Sequence, residues 1–238
     1  MLKLGRHQLE TPAICGAVIG ESVETMRAGI AKAVKQGADL VELRLDGLTE
    51  LAGWEELLRA EIPLILTNRP KREGGRFEGG EADRVRPLLE GVSRGVSCVD
   101  IELSTEKRLL DRLVREAKKQ GVCVLMSHHD FVGTPQPDAL IKITRRMVEA
   151  GCDVAKVVTF AENPKDAVRI LDFLVQVQGE VRVPVVTFAM GEAGRLSRIA
   201  APILDSPITY AAVSEATAPW QFDVATTKRL LHEFGVLR

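Results

Sequence analysis

The chain has 238 residues, of which 45% are hydrophobic and 27% charged, and its net charge is −1. That length suits a barrel-sized domain or two smaller ones, and the apolar fraction fills a sizeable core. The balanced charge provides no basic field for nucleic acid or a membrane surface. No apolar run is long enough to span a bilayer, and the N-terminal stretch lacks a secretory h-region, so the expected location is the cytoplasm. Cys15, Cys98, Cys123 and Cys152 form no C-x-x-C pair and lie in or beside apolar segments. They are expected as reduced, buried small hydrophobes rather than a zinc site or a disulfide framework.

Apolar strand-like runs alternate with amphipathic helical patterns along the whole chain. Strands are predicted at Ala13–Val18, Asp39–Leu45, Pro63–Thr67, Ser97–Leu103, Val122–Ser127, Asp153–Val158, Val183–Phe188 and Ile208–Val213. Helices are predicted at Val23–Gln36, Leu51–Ala60, Asp83–Arg94, Glu106–Gln120, Pro137–Ala150, Pro164–Gln178, Arg195–Ala201 and Val224–Phe234. Strict alternation implies a parallel sheet covered by helices, and the strands are rich in Val, Ile and Leu on both faces. Eight such units fit a single-domain (β/α)8 barrel over residues 1–238. An open doubly wound sheet is the alternative, but only Gly20 follows the first strand, where that fold normally carries a Gly-rich phosphate loop. Residues 1–11 are expected to form a short extension closing the bottom of the barrel.

Alternate side chains of a barrel strand face the interior, and active sites occupy the C-terminal strand ends. Ionisable residues late in the strands therefore carry the functional argument. In the second strand, Val41, Leu43 and Leu45 form the helix-facing side, which leaves Glu42 and Arg44 pointing inward. These two are read either as a structural ion pair or as groups that bind a polar substrate. The third strand runs into Arg69-Pro-Lys-Arg-Glu-Gly-Gly75, either a solvated charged loop or part of a site containing Glu73.

The fifth strand ends in Ser127-His-His-Asp-Phe131, and histidine is the usual acid–base group near neutral pH. Asp130 and Glu73 give no recognisable metal spacing with these histidines, so no metal is expected. Lys156 lies mid-strand in Asp153-Val-Ala-Lys156. It is either a strand-end lysine reaching solvent, half of an ion pair, or a buried amine nucleophile. Gly191–Arg198 offers a phosphate loop or, through Arg198, a carboxylate partner. Ala216-Thr-Ala-Pro-Trp-Gln221 is a polar lid or a loop packed by Trp220.

Taken in order over essentially the whole chain, these six segments resemble the type I 3-dehydroquinate dehydratase family. The resemblance implies a homodimeric (β/α)8 enzyme with no metal or cofactor. It would dehydrate 3-dehydroquinate to 3-dehydroshikimate, the third step of the shikimate pathway of aromatic amino-acid biosynthesis. Lys156 then matches the lysine that forms a Schiff base with the substrate ketone, His129 the general acid–base, and Glu73 its supporting carboxylate. Glu42, Arg44 and Arg69 match residues that hold substrate hydroxyls and order the site, Arg198 the partner of the substrate carboxylate, and Thr217 and Gln221 the closing loop. Thr217, Trp220 and Glu192 depart from the serine, glycine and lysine common at those places. The attacking amine must be neutral, and burial together with neighbouring arginines is expected to favour that state. A class I Schiff-base aldolase acting on a sugar phosphate and a non-catalytic carboxylate-binding barrel are the rival functions.

Overall fold

The computed structural model describes residues 1–214 and 220–237. A two-stranded hairpin, β1 (Leu2–Leu4) and β2 (His7–Leu9), precedes eight parallel strands. These are β3 (Ala13–Ile19), β4 (Leu40–Arg44), β5 (Leu64–Thr67), β6 (Cys98–Glu102), β7 (Cys123–His129), β8 (Val154–Phe160), β9 (Val185–Met190) and β10 (Ile208–Ala212). Helices α1 (Val23–Gln36), α2 (Glu81–Ser93), α3 (Lys107–Gln120), α4 (Pro137–Glu149), α5 (Pro164–Gln178), α6 (Ser197–Ile203) and α7 (Val224–Glu233) lie between and after them. The strand order β10-β3-β4-β5-β6-β7-β8-β9 makes a nearly closed (β/α)8 barrel.

Helix boundaries follow local chemistry. Ser22, Asn163 and Asp223 each accept a backbone N–H in the first turn of α1, α5 and α7, and Pro164 occupies the start of α5. The helix predicted at Leu51–Ala60 is instead a 3-10 helix over Trp54–Arg59. Its apolar side chains Leu51, Trp54, Leu57 and Ala60 recur every third residue, which matches the three-residue 3-10 turn. The predicted start of α6 at Arg195 shifts to Ser197, whose hydroxyl accepts Ala189 N–H at 2.8 Å and donates to Gly194 O at 2.6 Å.

Two apolar cores result from the strand alternation. The outer one joins Val41, Leu43, Val99, Met126 and Val157 to helix residues such as Met26, Leu88, Leu113 and Phe173. The inner one fills the barrel floor with Leu40, Ile65, Cys98, Leu125 and Val154, and Leu2 and Leu4 of the hairpin pack into it. The N-terminal extension therefore closes the bottom of the barrel as expected. All four cysteines are buried and unpaired by disulfide.

Polarity changes at one level up the inner wall. Each of five neighbouring strands turns from apolar to polar at its next inward position: Leu40 to Glu42, Ile65 to Thr67, Cys98 to Asp100, Leu125 to Ser127 and Val154 to Lys156. Strand register lines these residues up, with Arg44 opposite Thr67 and Thr67 opposite Asp100. Glu102 is likewise opposite Ser127, and Ser127 opposite Lys156. An oily floor under a ring of charge places the chemistry at the C-terminal end of the strands.

Candidate active site

A cavity of about 150 Å³ opens above the inner floor, lined by Glu42, Arg44, Arg69, Glu73, His129, Lys156, Arg198 and Gln221 among others. Eight of the nine residues singled out from sequence therefore meet in one place. The ninth, Thr217, lies outside the described residues.

Lys156 is 3% exposed. Its Nζ lies 3.1 Å from Asp100 Oδ2, 3.6 Å from Glu42 Oε1 and 4.0 Å from the centre of the Tyr210 ring. The snorkelling reading fails, because the amine ends inside the barrel. The charged groups that touch Nζ are the carboxylates of Asp100 and Glu42, and the expected neighbouring arginine reaches it only through one of them. Arg69 stands behind one of them, with Nη2 2.5 Å from the same Asp100 oxygen.

Arg69 is wholly engaged through its terminal nitrogens. Nη1 donates to Glu102 Oε1 at 2.6 Å and Ser127 Oγ at 2.5 Å, and Ser127 Oγ donates to Asp100 Oδ1 at 2.6 Å. Arg84 of α2 pairs with the other Glu102 oxygen and also donates to Thr105 Oγ1 at 2.8 Å. Burial works against the Asp100 carboxylate, but Arg69 and Lys156 hold its pKa well below the usual carboxylate range. Glu102 goes the other way: burial, aided by the charges of Asp100 and Glu73, pushes it up to about 7 against the pull of Arg69 and Arg84.

Glu42 and Arg44 share the inner face without forming the ion pair considered from sequence. Arg44 makes a bidentate pair with Asp46, Nε to Oδ1 at 2.9 Å and Nη2 to Oδ2 at 2.7 Å. Asp46 also accepts Arg69 N–H at 3.2 Å and Arg76 N–H at 3.0 Å, which ties the third βα loop to the end of β4. Glu42 accepts Thr67 Oγ1 at 2.9 Å and lies 3.9 Å from Arg69 Nη2. The reason is reach. The strand ends at Arg44, and the 3-10 turn Leu45–Gly47 that follows brings the Asp46 carboxylate back within reach of the long Arg44 side chain.

His129 closes β7. One Glu73 oxygen, Oε2, takes both its backbone N–H and its ring Nδ1, each at 3.1 Å, and Ser104 Oγ donates to Oε1 at 2.5 Å. Burial raises the Glu73 pKa, but the hydrogen bonds from His129 and Ser104 bring it below the ordinary glutamate value. An ionised Glu73 only accepts, so Nδ1 carries the proton and Nε2 the lone pair. Burial, with the positive charge of Arg69 and Lys156, lowers the His129 pKa to about 3. The imidazole is therefore neutral near pH 7. Asp130 fixes the turn beyond it by accepting the Val132 and Gly133 N–H groups at 2.8 and 3.1 Å. His128 points to the other side of the strand from Ser127 and His129.

Arg198 is 2% exposed, and among the described residues none hydrogen-bonds its Nε, Nη1 or Nη2. Its guanidinium carbon lies 4.3 Å from the centre of the Phe188 ring, and burial lowers its pKa to about 10. A buried guanidinium with open donors lining a cavity is suited to a bidentate anion. Among the described residues no group of three or more His, Cys, Asp or Glu is placed to hold a metal ion.

The chain matches a family model described as Type I 3-dehydroquinase over residues 14–238. It belongs to that family. The family is one of hydro-lyases, and its members include similar proteins named 3-dehydroquinate dehydratase. One from Methanococcoides burtonii is 37% identical over 239 residues, covering 97% of this chain and 98% of its own. Another, from Methanosarcina barkeri, is 38% identical over 243 residues with the same coverage. The solved type I 3-dehydroquinate dehydratase of Clostridium difficile, bearing covalently modified comenic acid, has a TM-score of 0.91 to this chain. It is 25% identical, with 98% of this chain and 97% of that one covered. The Geobacillus kaustophilus 3-dehydroquinate dehydratase gives a TM-score of 0.89 at 26% identity, covering 98% of each chain.

Asp100, Glu102, Ser127, Asp46 and Tyr210 also stand in or around this cavity without having been singled out from sequence. A signal for two of them existed. Within Ser97–Leu103, the same alternation that turned Glu42 inward turns Asp100 and Glu102 inward as well.

Proposed function

We propose that this member of the family dehydrates 3-dehydroquinate to 3-dehydroshikimate through a Schiff base on Lys156, the third step of the shikimate pathway. One observation carries the reading: a single cavity gathers a buried amine, a neutral histidine held by a carboxylate, and a guanidinium with open donors.

In this reading Lys156 Nζ passes its extra proton to the Asp100 or Glu42 carboxylate beside it and attacks the C3 carbonyl; that proton returns to the carbonyl oxygen, which leaves as water to give a protonated imine. Asp100 and Glu42 face the nitrogen, so they favour the cationic imine just as they face the resting amine. The imine withdraws electrons from C2, whose proton passes to His129 Nε2. The electron pair left on carbon then expels the C1 hydroxyl, which takes that proton from His129 and departs as water. Hydrolysis of the imine returns the amine and the carbonyl oxygen. Glu73 keeps Nε2 as the basic nitrogen throughout. Arg198 would pair with the C1 carboxylate, while Glu42, Arg44 and Gln221 face the ring hydroxyls. Arg69 is so fully occupied by Asp100, Glu102 and Ser127 that we assign it to ordering the site.

Borohydride added with 3-dehydroquinate, followed by peptide mass analysis, should place the reduced adduct on Lys156, alongside ultraviolet detection of the conjugated product. Active enzyme with an unmodified Lys156 would sink the Schiff-base reading. The family resemblance also carries the proposal of a homodimer in the cytoplasm; a monomer in light scattering would overturn the first part. Among the described residues no helix is long and apolar enough to cross a membrane.

A further inference from the structure

Two side chains that the proposed reaction needs, the Lys156 amine and the Arg198 guanidinium, each lie over an aromatic face. Lys156 Nζ is 4.0 Å from the Tyr210 centroid, and Arg198 Cζ is 4.3 Å from the Phe188 centroid. The two rings also pack against each other, with centroids 5.9 Å apart and planes tilted by 50°. Both are buried, at 3% and 6% exposure. Phe188 belongs to β9 and Tyr210 to β10, the strands at the two ends of the sheet order, which share no hydrogen-bonded ladder. Where ladder bonds elsewhere fix neighbouring strands, here the ring pair bridges the seam.

We propose that the Phe188–Tyr210 ring pair is a specificity-determining spacer. It fixes the separation between the Lys156 amine and the Arg198 guanidinium, and so selects cyclic ketones that carry a carboxylate two ring carbons from the carbonyl. The proposal rests on the Schiff-base reading above. Its physical basis is that a ring face attracts a cation within about 6 Å of its centroid, and a tilted ring pair resists sliding. Lys156 is further restrained by Asp100 and Glu42. Arg198, in contrast, has no protein hydrogen bond among the described residues, and the face of Phe188 lies against its guanidinium. Tyr210 contributes through its ring alone, since among the described residues its buried hydroxyl has no hydrogen-bond partner. A ketone with its carboxylate at the wrong spacing would engage one cation and leave the other without its anion.

The test compares borohydride trapping on Lys156 for two probes: 3-dehydroquinate, and a cyclohexanone bearing the same ring hydroxyls but no carboxylate. In Phe188→Leu, trapping of 3-dehydroquinate should slow about tenfold, while trapping of the carboxylate-free ketone stays within about twofold of wild type. Equal slowing for both probes would show a merely structural role and overturn the spacer, as would no slowing for either. Should Phe188→Leu fail to fold, judged by near-ultraviolet circular dichroism, Phe188→Met, which also removes the ring face under Arg198, is put through the same comparison with the same expected outcome. The wild-type reaction is run first. If it gives no Lys156 adduct with 3-dehydroquinate, the Schiff-base reading itself falls and takes the spacer with it, a result distinct from any variant's.

Discussion

Lys156 Nζ lies 3.1 Å from Asp100 Oδ2, and Arg69 shares that oxygen from the other side. Asp100 is thus the counter-ion of two buried cations. Asp100→Asn should cost about 3–5 kcal/mol in denaturant unfolding, because it leaves both cations undercompensated. The Asp100 pKa is lower in the folded chain than its unfolded value near 3.8, so the unfolded chain binds the proton first as pH falls. Its stabilisation is therefore complete above that unfolded pKa and drains away below it. Unfolding curves between neutral and strongly acid pH should show a shallower acid limb for Asp100→Asn than for wild type; parallel limbs would contradict the ion-pair assignment.

His129 should govern turnover more than binding. His129→Ala is expected to lower kcat by about 10²–10⁴-fold with a small change in KM. Its folded pKa of about 3 sits below the unfolded value of 6.5, so acidification across that window protonates the unfolded chain first and destabilises the fold. The wild type should lose stability as pH falls from 6.5 towards 3, and His129→Ala should lose less. In steady-state kinetics of the free enzyme, kcat/KM should show no histidine limb near pH 6.5. A limb there would place the base elsewhere or show His129 to be ordinarily basic.

Arg198 exchanges stability for binding. Arg198→Met should raise stability by about 1–3 kcal/mol by removing a buried charge whose donors are unpaired among the described residues, less the lost ring contact. The same variant should raise KM for 3-dehydroquinate by about 10–100-fold through loss of the charge-assisted pair. Thermal unfolding and initial rates measured together check this; a variant that is both less stable and unchanged in KM would refute it.

Gly74 tests the join between the loops after β5 and β7. It has φ +75°, and a Cβ placed there would lie 2.1 Å from Phe131 Cζ. Gly74 follows Glu73, and Phe131 lies two residues beyond His129. Gly74→Ala should therefore cost about 1–2 kcal/mol from backbone strain alone, and displacement of the loop should lower kcat by disturbing the Glu73–His129 bond. Adding Phe131→Ala should recover part of the lost kcat by removing the clash. If the double variant is as impaired as the sum of the singles, the two loops are not coupled through this contact.

Much of this molecule could be read before folding, for identifiable reasons. Strict strand–helix alternation and two-residue periodicity report burial directly, so the eight barrel strands and the inward aim of Glu42, Lys156 and His129 were legible. Leu51, Trp54, Leu57 and Ala60 looked like a helix face because apolar residues three apart suit either helix type. Gly74 and its neighbours read as a charged loop because nothing local says that Phe131 sits against them.

Chain order and side-chain alternation by themselves determined the barrel, its plugged floor and the residue types at its mouth, because both are local properties repeated along the sequence. Pairing was decided only by the tertiary structure. Arg44 went to Asp46 instead of Glu42, Lys156 met the carboxylates of Asp100 and Glu42, and Arg198 came to rest on Phe188 with no acidic partner among the described residues. Such choices depend on strand register and on the angle at which long side chains converge across the barrel. Two charges distant in sequence acquire a partner only when the closing sheet sets how far each can reach.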